Sequence, residues 1–164
     1  MRVKSENAAV YTVKSDERKE EDKIIKTAMK ILEGRMQKKG EYINSPDSVK
    51  NFMVLKMSEL EHEVFSCLWL DIQNRVIEYQ EMFTGTINTT SVYPREVIKA
   101  ALKLNASAVV FCHNHPSGAC VDSGADLSLT RELNAALEMV DVRLLDHIIV
   151  GGTDTMSFAE RGLI

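Results

Sequence analysis

Cysteine is scarce in this 164-residue chain, with only Cys67, Cys112 and Cys120. An odd number without metal-finger spacing argues against a disulfide framework and points to free thiols in a reducing cytoplasm. Long apolar runs are also missing: nothing approaches the ~20 residues that a membrane span needs. The first residues mix Arg2, Lys4 and Glu6 with small apolar side chains, so a signal peptide is not expected there. No repeat of fixed period and no low-complexity tract occurs. Clustered positive charge is absent from most of the chain. Residues 43–164 hold 9 Lys+Arg against 16 Asp+Glu, whereas residues 1–42 hold 11 against 8. An acidic main domain is a poor non-specific binder of phosphate backbones. The Lys/Glu mixture of the N-terminal part reads first as a solvated helix face.

What is present suits one globular domain with a decorated end, at 45% hydrophobic content. Residues 1–15 are expected to be loosely ordered. From Ser15 to about Lys39 acidic residues load the start and basic ones the end, as the helix dipole prefers. Ile24, Ile25, Ala28, Met29, Ile31 and Leu32 form an apolar stripe of helical spacing that should dock, and Gly40 is a plausible stop. Ser45 and Pro46 open a second helix as N-cap and first helical residue. Residues 63–70 and 75–83 read as a strand hairpin around Asp71 to Asn74. A Thr/Asn-rich loop follows over 85–92, then a helix from Tyr93-Pro94-Arg95-Glu96. Strands are expected over 106–112 and 144–150, a helix from Ser123 to about Val140, and a short last strand over 156–158. The pattern is a mixed α/β domain with a central sheet.

His113 and His115 stand two apart at the end of a strand. A period of two sends both imidazoles to one face, with Cα atoms ~6.6 Å apart. Two such rings can converge on one ion at Zn–N distances of ~2.0–2.1 Å. Asn114 between them points to the other face. Asp126, on the first turn of the next helix, supplies a third ligand. Two imidazoles and a carboxylate leave one tetrahedral position open for water, the layout of a catalytic zinc. Ser123 and Asp126 also form Ser-x-x-Asp, which is a helix-capping pattern. The two readings coexist, because the cap would fix Asp126 in space.

His113-Asn114-His115-Pro116-Ser117-Gly118 followed by Ser123-Gly124-Ala125-Asp126 resembles the metal-binding motif of the JAB/MPN (JAMM) metalloproteases, and more closely their bacterial RadC-like branch. Glu63-Val64-Phe65, Tyr93-Pro94-Arg95-Glu96, Leu145 to Gly151 and Ser157 to Gly162 fit that branch in order and spacing. The resemblance covers residues 43–164 and leaves 1–42 as an N-terminal extension, mostly one charged helix. It implies a three-layer α/β/α fold of cytidine-deaminase type with a mixed sheet, and one zinc ion per chain held by His113, His115 and Asp126. It further implies Glu63 as the residue that activates water, with Glu61 as the alternative, and Ser123 as support for the transition state. The loop carries Ala119-Cys120-Val121-Asp122 where the family usually has Asp-Pro and a Pro before the Ser. Longer members carry an upstream helix-hairpin-helix region, and residues 1–42 are too short for one, so a short form is expected.

The implied chemistry is amide hydrolysis of a peptide or isopeptide bond in a peptide or protein substrate. Glu63 takes a proton from zinc-activated water and delivers it to the leaving amine. Tyr93, Arg95, Asn114 and Ser117 are candidate substrate contacts, Arg95 through a substrate carboxylate. His147 reads as a core residue or one that supports a ligand, Cys112 as core, and Cys120 as a minor nucleophile candidate. Three other readings stand beside this one. A zinc hydrolase of nucleobases would want a Pro-Cys-x-x-Cys segment that is absent here. A non-catalytic docking module would tend to lose motif residues, all of which are kept. A role in DNA repair or metabolism, the label attached to the RadC branch, predicts DNA binding that the charge does not favour. A homo-oligomer and a cytoplasmic location complete the expectations, with no membrane partner.

Overall fold

In the computed structural model, residues 6–37, 46–85 and 91–164 are described. The expected stop at Gly40, the Ser45 cap and most of the Thr/Asn-rich loop lie outside them. Nine elements follow in order: α1 (Glu6–Gln37), α2 (Pro46–Met57), β1 (Val64–Leu70), β2 (Val76–Thr84), α3 (Pro94–Lys103), β3 (Ala108–Asn114), α4 (Gly124–Glu138), β4 (Arg143–Gly151) and β5 (Asp154–Ser157).

The strands form one mixed sheet in the order β2-β1-β3-β4-β5. Only β3 and β4 are parallel, and α4 is the crossover that a parallel pair requires. Strands β1 and β3 are buried along their whole length, so they read as nearly continuous apolar runs. Period two divides their side chains between two cores. Val64, Leu68, Val110 and Cys112 meet α2 through Phe52, Met53 and Met57. Phe65, Cys67, Trp69, Val109 and Phe111 meet α3 and α4 through Val97, Ala101, Leu133 and Leu137. The result is the three-layer α/β/α arrangement.

Two expectations at the N-terminal end change. The first helix begins at Glu6, well before Ser15: the run from Glu6 to Val13 contains neither Gly nor Pro to stop it. Its apolar stripe also divides. Ile25, Ala28, Met29 and Leu32 are half-buried, and Leu32 packs on the α2 core. Ile24 and Ile31 stay exposed on the flank. Elsewhere the strand boundaries move by one or two residues. One such shift runs β3 on to Asn114, which places His113 inside the sheet.

Candidate metal centre

The carboxyl end of β3 lies beside parallel β4 and faces the start of α4. Ligand sites in open α/β sheets collect at strand carboxyl ends. His113 is buried, on the same sheet face as Phe65 and Phe111. His115 follows the last strand residue, and its N–H donates to the Val150 carbonyl at 2.8 Å, so β4 holds it in register. The two rings leave the same side with centroids 4.8 Å apart.

Asp126 arrives from the other direction. Ser123 is the N-cap of α4 in an extended conformation, and its Oγ accepts from the Asp126 N–H at 3.1 Å. The Ser123 N–H and Oγ–H in turn donate to Asp126 Oδ2 at 2.8 and 2.7 Å. This reciprocal cap satisfies helix-end donors that would otherwise be orphaned. It also points the carboxylate back across the loop at the imidazoles.

The three side chains meet. His113 Nε2 and His115 Nε2 are 3.0 Å apart. The carboxylate oxygens stand 3.4 Å from the first and 3.8 Å from the second. Ligand atoms that share a tetrahedral zinc at ~2.0–2.1 Å are roughly 3.3 Å from one another, and these separations straddle that value. Burial, partly opposed by the Asp126 charge, pushes the His113 pKa down to about 4. His113 is therefore neutral near pH 7, and its approach to Asp126 is not an ion pair. His115 Nδ1 faces the Ala119 carbonyl at 2.8 Å, a contact that requires N–H there, so that Nε2 is the nitrogen turned to the site. Two imidazoles and a carboxylate gathered around one point are the donor set that suits a zinc ion.

The loop that carries Ala119 is seated by close backbone approach. A Cβ on Gly151 would lie 2.7 Å from the Gly118 carbonyl oxygen and 2.8 Å from the Cys120 nitrogen. Only glycine lets the end of β4 come that near. Cys120 turns inward, its thiol donating to the Ile149 carbonyl at 3.5 Å, and burial raises its pKa. That environment disfavours the thiolate.

Glu63 lies just before β1, half-buried, whereas Glu61 is exposed in the preceding bend. Phe65 pairs with His113 at the end of the antiparallel β1–β3 ladder, and Glu63 precedes Phe65 by two residues. Its carbonyl accepts from the Gly85 N–H at 2.8 Å, which pins the backbone there. Tyr93 is exposed at the start of α3, with its ring 5.9 Å from Phe83. Arg95 and Ser117 are exposed. Asn114 differs from these candidates in its surroundings. It is buried, its Oδ1 accepts from the Val64 N–H at 2.8 Å, and its Nδ2 donates to the His62 carbonyl at 3.0 Å. It is a strut between β3 and the start of β1.

Two features escaped the sequence reading. Thr130, buried on α4, was unmarked, although a polar residue four positions after Asp126 on an inward helix face was a usable signal. The Ala119 carbonyl and its dependence on Gly151 left no sequence signal beyond a glycine pair.

Comparison with known proteins gives a consistent picture. Residues 43–163 match the model of the RadC-like JAB domain. The chain is 48% identical over 156 residues to a UPF0758 protein of Vibrio cholerae, covering 95% of this chain and 98% of that one. It is 51% identical over 141 residues to a UPF0758 protein of Pseudoalteromonas translucida, covering 86% and 62%. With a UPF0758 protein of Dechloromonas aromatica it shares 57% over 121 residues, covering 73% and 54%. The chain thus spans little more than half the length of the last two. Among the described residues no helix is long and apolar enough to cross a membrane.

Proposed function

The chain belongs to the RadC-like JAB domain family, and from that premise we propose that it is a zinc-dependent hydrolase cleaving a peptide or isopeptide bond. The observation that carries this reading is the meeting of His113, His115 and Asp126, whose ligand atoms lie within 4.8 Å of one another. Zinc bound there supplies a polarised carbonyl and a water of lowered pKa, toward ~7.

The protein's own part is positional. His113 is held by the sheet and His115 by β4 and the loop, so both keep their Nε2 atoms aimed inward. Glu63, two residues before the strand residue that pairs with His113, is assigned as general base: it accepts the water proton and returns it to the leaving nitrogen. Ser123 is assigned as a hydrogen-bond donor to the oxyanion. That role requires its hydroxyl to turn from Asp126 Oδ2. A peptide or protein substrate is favoured over nucleic acid by the charge of residues 43–164, with 9 Lys+Arg against 16 Asp+Glu, a poor surface for phosphate backbones.

The test is zinc stoichiometry of the purified chain together with cleavage of isopeptide-linked substrates set against a nucleoside panel. About one zinc per chain is expected, lost in His113→Ala and Asp126→Ala, with cleavage confined to the amide substrates. Undiminished zinc in both variants rejects the ligand set. Turnover of nucleosides alone rejects the substrate class.

A further inference from the structure

Behind His113 lies a second imidazole that the proposed reaction does not use. His147 is fully buried on β4, walled by Phe65, Phe111 and Phe158 at ring centroid distances of 5.7, 5.8 and 4.8 Å. In the parallel register Phe111 pairs with His147, so His147 sits diagonal to His113 on the same face. Its Nε2 is 2.8 Å from His113 Nδ1, and its Nδ1 is 2.6 Å from Thr130 Oγ1. Thr130 Oγ–H donates to the Asp126 carbonyl at 2.6 Å, the usual back-bond of a helical threonine. A continuous chain of hydrogen bonds therefore runs from the backbone of one proposed ligand to the ring of another.

Proton counting gives the chain a direction. Thr130 has one hydroxyl proton, and with that proton on the Asp126 carbonyl its oxygen is free to accept from His147 Nδ1–H. His147 Nε2 is then a lone pair and accepts from His113 Nδ1–H. His113 Nε2 is left bare and facing His115 and Asp126. The opposite polarity would put a proton on His113 Nε2, where it blocks ligation. As hydrogen bonds, the 2.8 Å and 2.6 Å contacts each carry one proton, since two donors or two lone pairs would repel at those distances.

We infer that Thr130 and His147 are positioning residues that lock the tautomer of His113, so that its Nε2 lone pair faces the metal. The inference rests on the zinc reading for its purpose but not for its existence, since the lock is a property of the metal-free rings. Neither residue touches the ion. Outer partners of this kind are typically worth roughly 10–100-fold in metal affinity.

The test uses the full chain, labelled with nitrogen-15, and reads the ring nitrogens of His113 and His147 by long-range proton–nitrogen correlation without and with zinc chloride. In the metal-free chain both rings must be Nδ1–H, with one proton bridging them, and Nε2–H on both overturns the lock. With zinc both must be Nδ1–H. Thr130→Val takes away the acceptor for His147 Nδ1–H. It should move both rings toward Nε2–H and weaken zinc binding roughly 10–100-fold, while Thr130→Ser restores both readouts. If Thr130→Val does not fold, His147→Leu is the second variant and should weaken zinc binding on the same scale. Opposite tautomers on the two rings, or zinc affinity within about twofold of wild type in a folded Thr130→Val or His147→Leu chain, overturns the inference. A wild-type chain that takes up no zinc defeats the hydrolase reading instead. The lock then stands or falls on the metal-free spectrum.

Discussion

A carboxylate has two oxygens, and at Asp126 they have different neighbours. Oδ2 accepts from the Ser123 N–H and hydroxyl at 2.8 and 2.7 Å, whereas Oδ1 is the oxygen 3.4 Å from His113 Nε2. Oδ2 holds the side chain still and also stands 3.8 Å from His115 Nε2, so both oxygens face the site. Ser123→Ala removes the cap and should lower stability by about 0.5–2 kcal/mol. Zinc affinity should fall as the carboxylate loosens. At saturating zinc any remaining loss of rate isolates the oxyanion role, for which a removed donor typically costs about 10²–10³ in kcat. Full rate at saturating zinc leaves Ser123 only its structural part. Asn114 gives the opposite case. Asn114→Ala strands the Val64 N–H and the His62 carbonyl, and each buried orphan costs about 1–3 kcal/mol. The urea midpoint should drop accordingly. A stable Asn114→Ala chain with a raised KM would place the residue among the substrate contacts.

At the scale of elements, the turn after β3 and the end of β4 act as one clamp. Gly151 lets the backbone of residues 118–120 come close, and the Ala119 carbonyl there fixes the His115 ring. A Gly151→Ala methyl group would meet only backbone atoms, none of which can swing aside. Overpacking of that kind typically costs about 1–3 kcal/mol. The expected outcome is a lower melting temperature together with weaker zinc binding, read by calorimetric titration. Normal zinc affinity in Gly151→Ala would detach the loop from the site. This clamp marks where legibility in the sequence ends. His113, His115 and Asp126 could be read because strand period and helix capping are local patterns. The helices were legible from their apolar spacing. The contacts of His147 with His113 and Thr130 were not, since they depend on the β3–β4 register and on how α4 docks. Those are set by packing across 34 and 17 residues of sequence, beyond the reach of any local period. The first helix was begun too late for a different reason: Glu6 to Lys14 lacks the acidic cluster that marks a helix start, yet it contains neither Gly nor Pro to stop one.

Across the whole molecule the two sheet faces differ in kind. The α2 face sets buried Ser66 and Asp146 among apolar side chains, while the α3/α4 face ends in a pair of imidazoles enclosed by aromatic rings. Burial holds His113 down to about 4 and His147 well below its ordinary value. An unfolded chain protonates both near ~6.5. Below that pH the unfolded state therefore binds more protons than the folded one, and stability falls as pH falls. The stabilisation is fully present above about 6.5 and is lost progressively toward 4 for His113, and further for His147. Each imidazole contributes a slope of roughly 1.4 kcal/mol per pH unit within its window. Urea unfolding of the metal-free chain, held in chelator, should show the midpoint dropping steeply between pH 6.5 and 4.5. His147→Leu should flatten that slope by about half, because one of the two proton-binding differences is gone. A midpoint that stays level over this range would mean that the folded protein admits protons to these rings, and that the aromatic wall around them opens to water.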